Sequence, residues 1–150
     1  MNGILAKLPY ATKCAFAHCW PDLGRFVQVK ILVVEDEPFI RLGLVSTIEE
    51  AGYEVIDAAS TDEAIRKLER YDDVGLILTD VDMPGSMDGI RLAHYVRRRW
   101  PPIELVVISG KVGVTPMELP SGARFISKPF QDVALMSVVQ TMLGAEGTSE

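Results

Sequence analysis

The chain has 150 residues and a formal net charge of −6 at pH 7, with 48% hydrophobic and 24% charged residues. This composition is typical of one globular domain and excludes a disordered chain. The acidic balance argues against binding nucleic acid through the net field, and no apolar run approaches the roughly 18 residues of a membrane span. We therefore expect no direct nucleic-acid partner and no membrane partner.

Residues 1–29 follow no clean helical or strand period, and we predict that they form an N-terminal extension outside the core. The only two cysteines, Cys14 and Cys19, lie here with His18, and no fourth ligand is placed to complete a zinc site. We predict inert thiols there in place of a metal site or a disulfide. Such low cysteine use suits a reducing compartment, so we expect the protein to be cytoplasmic.

Strands and helices alternate through the predicted domain, residues 30–143. Apolar runs bounded by turn residues predict strands at 30–34, 53–58, 74–80, 103–108 and 123–127. Amphipathic spacing and N-terminal capping residues predict helices at 38–51, 60–70, 88–99 and 131–143, followed by a flexible tail at 144–150. Pro116 and Pro120 leave room for only about one helical turn between the fourth and fifth strands. Repeated βα units with right-handed crossovers predict the α/β class, with a doubly wound five-stranded parallel sheet.

Three of the predicted strands end in acidic or basic side chains. Glu35 and Asp36 follow the first strand, Asp80 ends the third, and Lys128 follows the fifth. Because the carboxyl ends of parallel strands share one edge of a sheet, we expect these groups to meet there. Carboxylates about 4 Å apart repel by ~4 kcal/mol at an effective dielectric constant near 20, so three together need a cation or a proton. An oxygen-only ligand set of this kind suits Mg²⁺.

The same edge is predicted to bind an anion. Lys128 carries a point charge that can reach Asp80 or an anion bound to it, and Ser109 ends the fourth strand with a hydroxyl. Asp80 is therefore a candidate carboxylate nucleophile toward phosphorus, with Lys128 and a metal ion to stabilise charge on the phosphoryl oxygens.

This pattern resembles the receiver domain of two-component response regulators over residues 29–143. The motifs that carry the resemblance are Glu35-Asp36, Thr79-Asp80-x-x-Met83-Pro84, Met87-Asp88-Gly89, Ser109-Gly110 and Lys128-Pro129-Phe130. The resemblance implies a flavodoxin-like three-layer α/β/α fold. It also implies a phosphorelay switch that accepts a phosphoryl group from a sensor histidine kinase or a phosphotransfer protein and then binds a downstream protein partner. Such a domain turns over no external substrate and is not an enzyme, and we expect a single-domain member.

The resemblance also implies a role for each site residue. Asp80 becomes the phosphoacceptor, Lys128 the phosphate-binding amine, Ser109 the switch hydroxyl and Phe125 the switch aromatic. The Mg²⁺ ligands would be Glu35, Asp36, Asp80 and the backbone carbonyl of Asp82. The first acid is Glu35, where Asp is frequent, and the loop after Pro84 carries an extra residue.

Two alternative functions remain open from the sequence. Asp80-Val81-Asp82 could mimic the nucleophile and acid of a haloacid dehalogenase-type phosphatase, although such enzymes carry that pair on their first strand. The other alternative is an interaction module that is never phosphorylated.

Two further hypotheses concern regulation and assembly. Asp82 lies two residues past the acceptor and Lys111 two past Ser109, so we hypothesise an ion pair that gates the entry of hydrolytic water. The last helix is apolar nearly all round, which favours a homodimer or a partner contact through it.

Overall fold

The sheet determines where every functional group lies. The computed structural model describes residues 29–148. Its elements are β1 Lys30–Val34, α1 Pro38–Glu50, β2 Glu54–Ala58, α2 Thr61–Arg70, β3 Val74–Asp80, α3 Gly89–Arg99, β4 Glu104–Ser109, a 3₁₀ turn Pro116–Glu118, β5 Arg124–Ser127 and α4 Asp132–Thr148. All strand pairs are parallel, in the order β2-β1-β3-β4-β5. The predicted doubly wound five-stranded sheet is therefore confirmed.

Two hydrophobic cores lie on opposite faces of this sheet. Alternate residues of β1 point to opposite sides, so Ile31 and Val33 join one core while Leu32 and Val34 join the other. Helices α1 and α4 cover the first core, and α2 and α3 cover the second. Strands buried on both faces explain why their sequences are continuous apolar runs without polar alternation. The result is the predicted three-layer α/β/α arrangement.

Acidic and hydroxyl side chains cap the helices at the edge where the strands end. The Glu37 carboxylate accepts hydrogen bonds from the amides of Phe39 and Ile40 at 2.8 and 3.2 Å, and Pro38 occupies the first turn of α1. Ser60 and Asp88 cap α2 and α3 in the same way, as the sequence predicts. Glu37 and Ser60 follow the ends of β1 and β2 by three and two residues, whereas a seven-residue loop separates the end of β3 from Asp88.

The segment between β4 and β5 contains the 3₁₀ turn in place of a longer helix, which confirms the predicted single turn. Contacts with α3 hold this segment: His94 Nε2 lies 2.7 Å from the Glu118 carbonyl oxygen. Arg97 Nε donates to the Ser121 carbonyl at 3.1 Å, and Leu119 is buried in the core. Hydrogen bonds from α3 side chains and the buried side chain of Leu119 thus hold this segment, as the packing of a helix would.

The structure differs from the sequence prediction at two points, one near each end of the described residues. The last helix continues past the predicted end at Leu143 to Thr148, because a glycine such as Gly144 weakens a helix without necessarily ending it. The sequence pattern assigns Val29 to the extension, but its side chain packs closely against Gly75 of β3.

Some predictions lie outside the described residues. The rest of the extension, with the three residues Cys14, His18 and Cys19, is among them, so the domain boundaries stay a prediction. Within residues 29–148, every helix is too short or too polar to cross a bilayer.

Candidate functional site

Three carboxylates converge where β1 and β3 end. Ligand oxygens of Glu35, Asp36 and Asp80 all lie within 4.8 Å of one another. Glu35 is buried, Asp36 is exposed and the Asp80 side chain is 11% exposed, so the cluster opens to solvent on one side. Central strands β1 and β3 pair directly, with Val34 opposite Thr79, and this register brings the acids together. The predicted convergence of these three residues is confirmed.

Burial dominates the electrostatics of Glu35. Its side chain is 2% exposed, and removal from water raises the pKa of its carboxyl above the ordinary value. The negative charge of Asp80 acts in the same direction on this pKa. The Glu37 amide opposes both by donating a hydrogen bond to Oε1 at 3.0 Å. Glu35 is therefore the member of the cluster that most needs a neighbouring positive charge.

Lys128 supplies that charge to two strand ends at once. Its Nζ donates a hydrogen bond to Asp80 Oδ2 at 3.1 Å and lies 3.6 Å from Glu35 Oε2. Burial lowers the pKa of Lys128, but the hydrogen bond and the charges of Asp80 and Glu35 outweigh it, and the net pKa is raised. Its backbone amide donates to the Ser109 carbonyl at 2.9 Å, and a cis peptide bond joins it to Pro129. Lys128 is therefore a cation at neutral pH, held against the acceptor candidate.

Ser109 and Phe125 occupy the positions predicted for them on β4 and β5. Ser109 is buried, and its hydroxyl oxygen accepts a hydrogen bond from the Lys111 amide at 2.9 Å. Because Asp80 pairs with Ile108, Ser109 lies one position beyond Asp80 along the next strand. Phe125 is half-buried against the core covered by α2 and α3. Their switching roles stay predictions.

Asp82 and Lys111 form the predicted ion pair. Lys111 Nζ donates to Asp82 Oδ1 at 3.0 Å across the two loops that flank the carboxylates. The hydrogen bond to Asp82 raises the pKa of Lys111. Both side chains are more than half exposed, so the pair carries little folding energy and is easily opened. Its effect on water entry stays a hypothesis, as does metal binding by the Asp82 carbonyl.

The cluster fits a hard divalent cation. Two ionised carboxylates 4.8 Å apart repel by about 3 kcal/mol at an effective dielectric constant near 20. Three carboxylates face the single ammonium of Lys128, which leaves negative charge uncompensated. Oxygen ligands from a few side chains, with one side open to water, are what Mg²⁺ prefers.

Sequence reasoning missed two residues at this site. Arg41 of α1 donates hydrogen bonds to the Glu35 carbonyl and to Asp57 of β2. Gly89 begins α3 directly against the Asp80 carbonyl, where a Cβ atom would lie 1.9 Å from the oxygen. Neither contact leaves a periodic signal, because each joins residues that only the finished sheet brings together. The Asp88-Gly89 pair signals a helix start but not this close approach.

Comparison with known proteins agrees with the geometry. Residues 31–140 match the family model described as the response regulator receiver domain. The chain belongs to this family. It is therefore a phosphoacceptor switch of two-component signalling, and neither alternative function finds support in the comparisons.

Two curated relatives illustrate how receiver domains occur. The response regulator receiver protein CpdR of Brucella abortus is 34% identical over 117 residues, which cover 76% of this chain and 96% of CpdR. The sensor kinase CckA of the same organism is 36% identical over 117 residues, covering 75% of this chain. The match spans only 12% of CckA.

Among solved structures, the response regulator TrrA of Thermotoga maritima, in complex with Mg²⁺ and BeF, is 25% identical with a TM-score of 0.67. The alignment covers 77% of this chain and 99% of TrrA. The receiver fold thus extends over nearly all of the described residues.

Proposed function

We propose that Asp80 is the phosphoacceptor and that a sensor histidine kinase or a phosphotransfer protein is the donor. The observation that carries this proposal is the convergence of Glu35, Asp36 and Asp80 within 4.8 Å, with Lys128 bonded to Asp80. An Asp80 oxygen attacks the phosphorus of a phosphohistidine. The phosphorus–nitrogen bond breaks, and its electron pair leaves with the imidazole nitrogen, which takes a proton.

The chain's own charges support this step. Lys128 already bonds to Asp80, so a phosphoryl group on Asp80 would meet an ammonium without rearrangement of β5. Ser109 ends the neighbouring strand and offers a hydroxyl to the same anion. Pairing of both groups with the phosphoryl oxygens would shift the loops after β4 and β5. A partner that binds the loops more tightly in the phosphorylated arrangement than in the unphosphorylated one, or the reverse, then reads the signal.

The residues that would hold Mg²⁺ are Glu35, Asp36 and Asp80, with the Asp82 carbonyl as a further oxygen. When bound, the ion supplies positive charge that neutralises the transferring phosphoryl oxygens. TrrA, whose receiver fold matches, was crystallised with Mg²⁺ and BeF, and this supports the assignment. The chain would thereby assist its own phosphorylation and dephosphorylation, with no external substrate to turn over.

The test is intact-mass measurement after treatment with a small-molecule phosphodonor and Mg²⁺. Wild type should gain the mass of one phosphoryl group, and Asp80→Asn should gain none. Asp72→Asn removes an exposed acid that precedes β3 at the opposite end of the sheet, and it should label like wild type. Labelling should stop when a chelator removes the metal. Full labelling of Asp80→Asn would end the assignment.

We further propose that the pair between Asp82 and Lys111 controls how long the acyl phosphate survives. Both side chains lie on the loops that flank Asp80, and their 3.0 Å contact joins those two loops. Lys111→Ala should change the lifetime of the phosphorylated state more than the rate of its formation. The exchanged pair, Asp82→Lys with Lys111→Asp, should restore the wild-type lifetime. An unchanged lifetime in Lys111→Ala contradicts the gate.

A homodimer through the last helix is the remaining proposal on assembly. The apolar surplus of α4 is largely used within the domain, since Met136, Val138 and Met142 pack against the core. Val133 in its first turn is 80% exposed and would lie in such a contact. Size measurement before and after phosphorylation tests the dimer, and a monomer in both states would exclude it.

A further inference from the structure

Arg41 joins three elements around the acid cluster. It lies in the first turns of α1, and its side chain is 21% exposed. Nη1 donates a hydrogen bond of 2.8 Å to the carbonyl oxygen of Glu35, and Nε donates one of 2.9 Å to Asp57 Oδ2 on β2. The guanidinium thus connects α1, the loop after β1 and the neighbouring strand.

The loop that Arg41 contacts carries two of the three clustered carboxylates. The Glu35 amide continues the ladder with β2 by donating to the Ala58 carbonyl at 3.0 Å, and the Glu35 carboxylate accepts from the Glu37 amide. The Glu35 carbonyl oxygen, in the peptide plane between Glu35 and Asp36, accepts a hydrogen bond from Arg41. Because this carbonyl lies in the peptide plane leading to Asp36, its orientation fixes the Asp36 Cα atom and so restricts the directions open to the exposed Asp36 side chain.

The geometry requires an arginine. A guanidinium presents several N–H donors in a rigid fork and keeps its charge at all physiological pH values, whereas an ammonium on a flexible stem is a single point donor. Here Nε and Nη1 of one planar guanidinium bond to two acceptors on different elements, the Asp57 carboxylate and the Glu35 carbonyl. Asp57 orients the fork and offsets its charge.

We propose that Arg41 is a positioning residue for the divalent cation: by holding the Glu35 carbonyl against Asp57, it aims Asp36 into the metal site. This inference rests on the proposed metal role of Glu35, Asp36 and Asp80. Arg41 does not touch the ion or the phosphoryl group. It acts as outer-sphere partners of metal ligands do, by restricting the orientation of a ligand before the ion arrives.

Calorimetric titration of the full chain with Mg²⁺ alone tests the proposal without any phosphoryl transfer. Arg41→Met should raise the Kd for Mg²⁺ by about tenfold, the lower end of the usual effect of losing an outer-sphere partner. The Kd of Arg41→Lys for Mg²⁺ should lie closer to that of Arg41→Met than to that of wild type on a logarithmic scale. Asp57→Asn should weaken binding to a smaller extent, and should add nothing in the Arg41→Met background because the two side chains act as one unit.

The matched control is Arg98→Met, which makes the same chemical change on an exposed position of α3. It should leave Mg²⁺ affinity unchanged. In the metal-free protein, amide hydrogen exchange at Asp36 and Glu37 should accelerate in Arg41→Met and stay at the wild-type rate in Arg98→Met. If Arg41→Met does not fold, Asp57→Asn carries the test.

The outcomes separate this inference from the proposed function. If wild type binds Mg²⁺ and Arg41→Met binds it equally well, the positioning role is wrong and the metal site stands. The positioning role is equally wrong if Arg41→Lys matches wild type. If wild type does not bind Mg²⁺, the metal assignment fails and the positioning role fails with it.

Discussion

Gly89 offers the sharpest test of how tightly the backbone at Asp80 is packed. It is the first residue of α3, and its amide donates a 2.9 Å hydrogen bond to the Val81 carbonyl. A Cβ atom at this position would lie 1.9 Å from the Asp80 carbonyl oxygen and 2.8 Å from its carbonyl carbon. Both obstacles are backbone atoms, so no side chain can move aside to relieve the clash.

The size of the effect follows from these distances. Real Cβ atoms essentially never approach other heavy atoms below 3.0 Å, so α3 would have to retreat from β3 by about 1.1 Å. Overpacking of this kind costs about 1–3 kcal/mol, and loss of the Gly89–Val81 hydrogen bond adds about 1 kcal/mol. We therefore expect Gly89→Ala to lower the free energy of unfolding by about 2–4 kcal/mol, although alanine is the better helix former.

Urea denaturation measures this change. With a slope of about 2 kcal/mol per molar urea, the middle of the usual range, the midpoint should fall by about 1–2 M. Phosphodonor labelling of the folded variant should also slow, because the displaced backbone belongs to Asp80 itself.

Gly43→Ala is the matched control, since Gly43 lies inside α1 and a Cβ there would meet open space. It should raise the free energy of unfolding by about 0.5–1 kcal/mol. A Gly89→Ala protein as stable as wild type, beside a Gly43→Ala protein that gains stability, would refute the packing argument.

Three further predictions concern the stability of the fold away from the acid cluster of Glu35, Asp36 and Asp80. The Ala59 amide donates a hydrogen bond of 2.8 Å to the Glu63 carboxylate and lowers the pKa of this carboxyl below its ordinary value of 4.5. The stabilisation of the folded state by the ionised carboxylate is therefore complete above pH 4.5, and it is lost as the pH falls through the folded-state pKa. The difference in unfolding free energy between wild type and Glu63→Gln should accordingly shrink in acid. Leu119→Ala should lower the unfolding free energy by about 2 kcal/mol in chemical denaturation, because Leu119 is the buried anchor of the segment before β5. Asp62→Ala should cost about 1 kcal/mol and accelerate hydrogen exchange of the Ser86 amide, which bonds to Asp62 at 3.2 Å.

Each of these three has a contrary result. If the difference in unfolding free energy between wild type and Glu63→Gln does not change with pH, the Ala59 amide does not favour the ionised carboxylate. A Leu119→Ala protein within 0.5 kcal/mol of wild type, about the size of an ordinary surface change, would mean that the segment is held by other contacts. Unchanged exchange at Ser86 in Asp62→Ala would show that the loop after β3 is held without α2.

The strands and the functional edge were predictable because both depend on local patterns. Continuous apolar runs identify strands buried on two faces, and a residue that follows such a run lies at the edge of the sheet whatever the rest of the chain does. Glu35, Asp36, Asp80 and Lys128 were found in this way. Parallel pairing places them at one edge of the sheet, and the direct pairing of β1 with β3 brings the three acids together.

Contacts that depend on side-chain reach across elements could not be predicted. Arg41 meets Asp57 only because β1 pairs with β2 in one register, in which Val33 lies opposite Asp57. His94 and Arg97 read from the sequence as ordinary positions of α3, and their bonds to the backbone before β5 need the finished fold. The end of the last helix was missed for a local reason, since a glycine signals an end but does not enforce one.

The alternating side chains of β1 make this strand a partition between two separately packed compartments. A substitution at one of its positions disturbs the filling of one compartment only, whereas any displacement of its main chain would have to be accommodated on both sides simultaneously. Glu35 continues directly from this partition. Two of the three clustered acids, Glu35 and Asp36, therefore follow a strand whose main chain is packed on both faces, and we expect any regulatory movement to occur in the loops that face them across the edge.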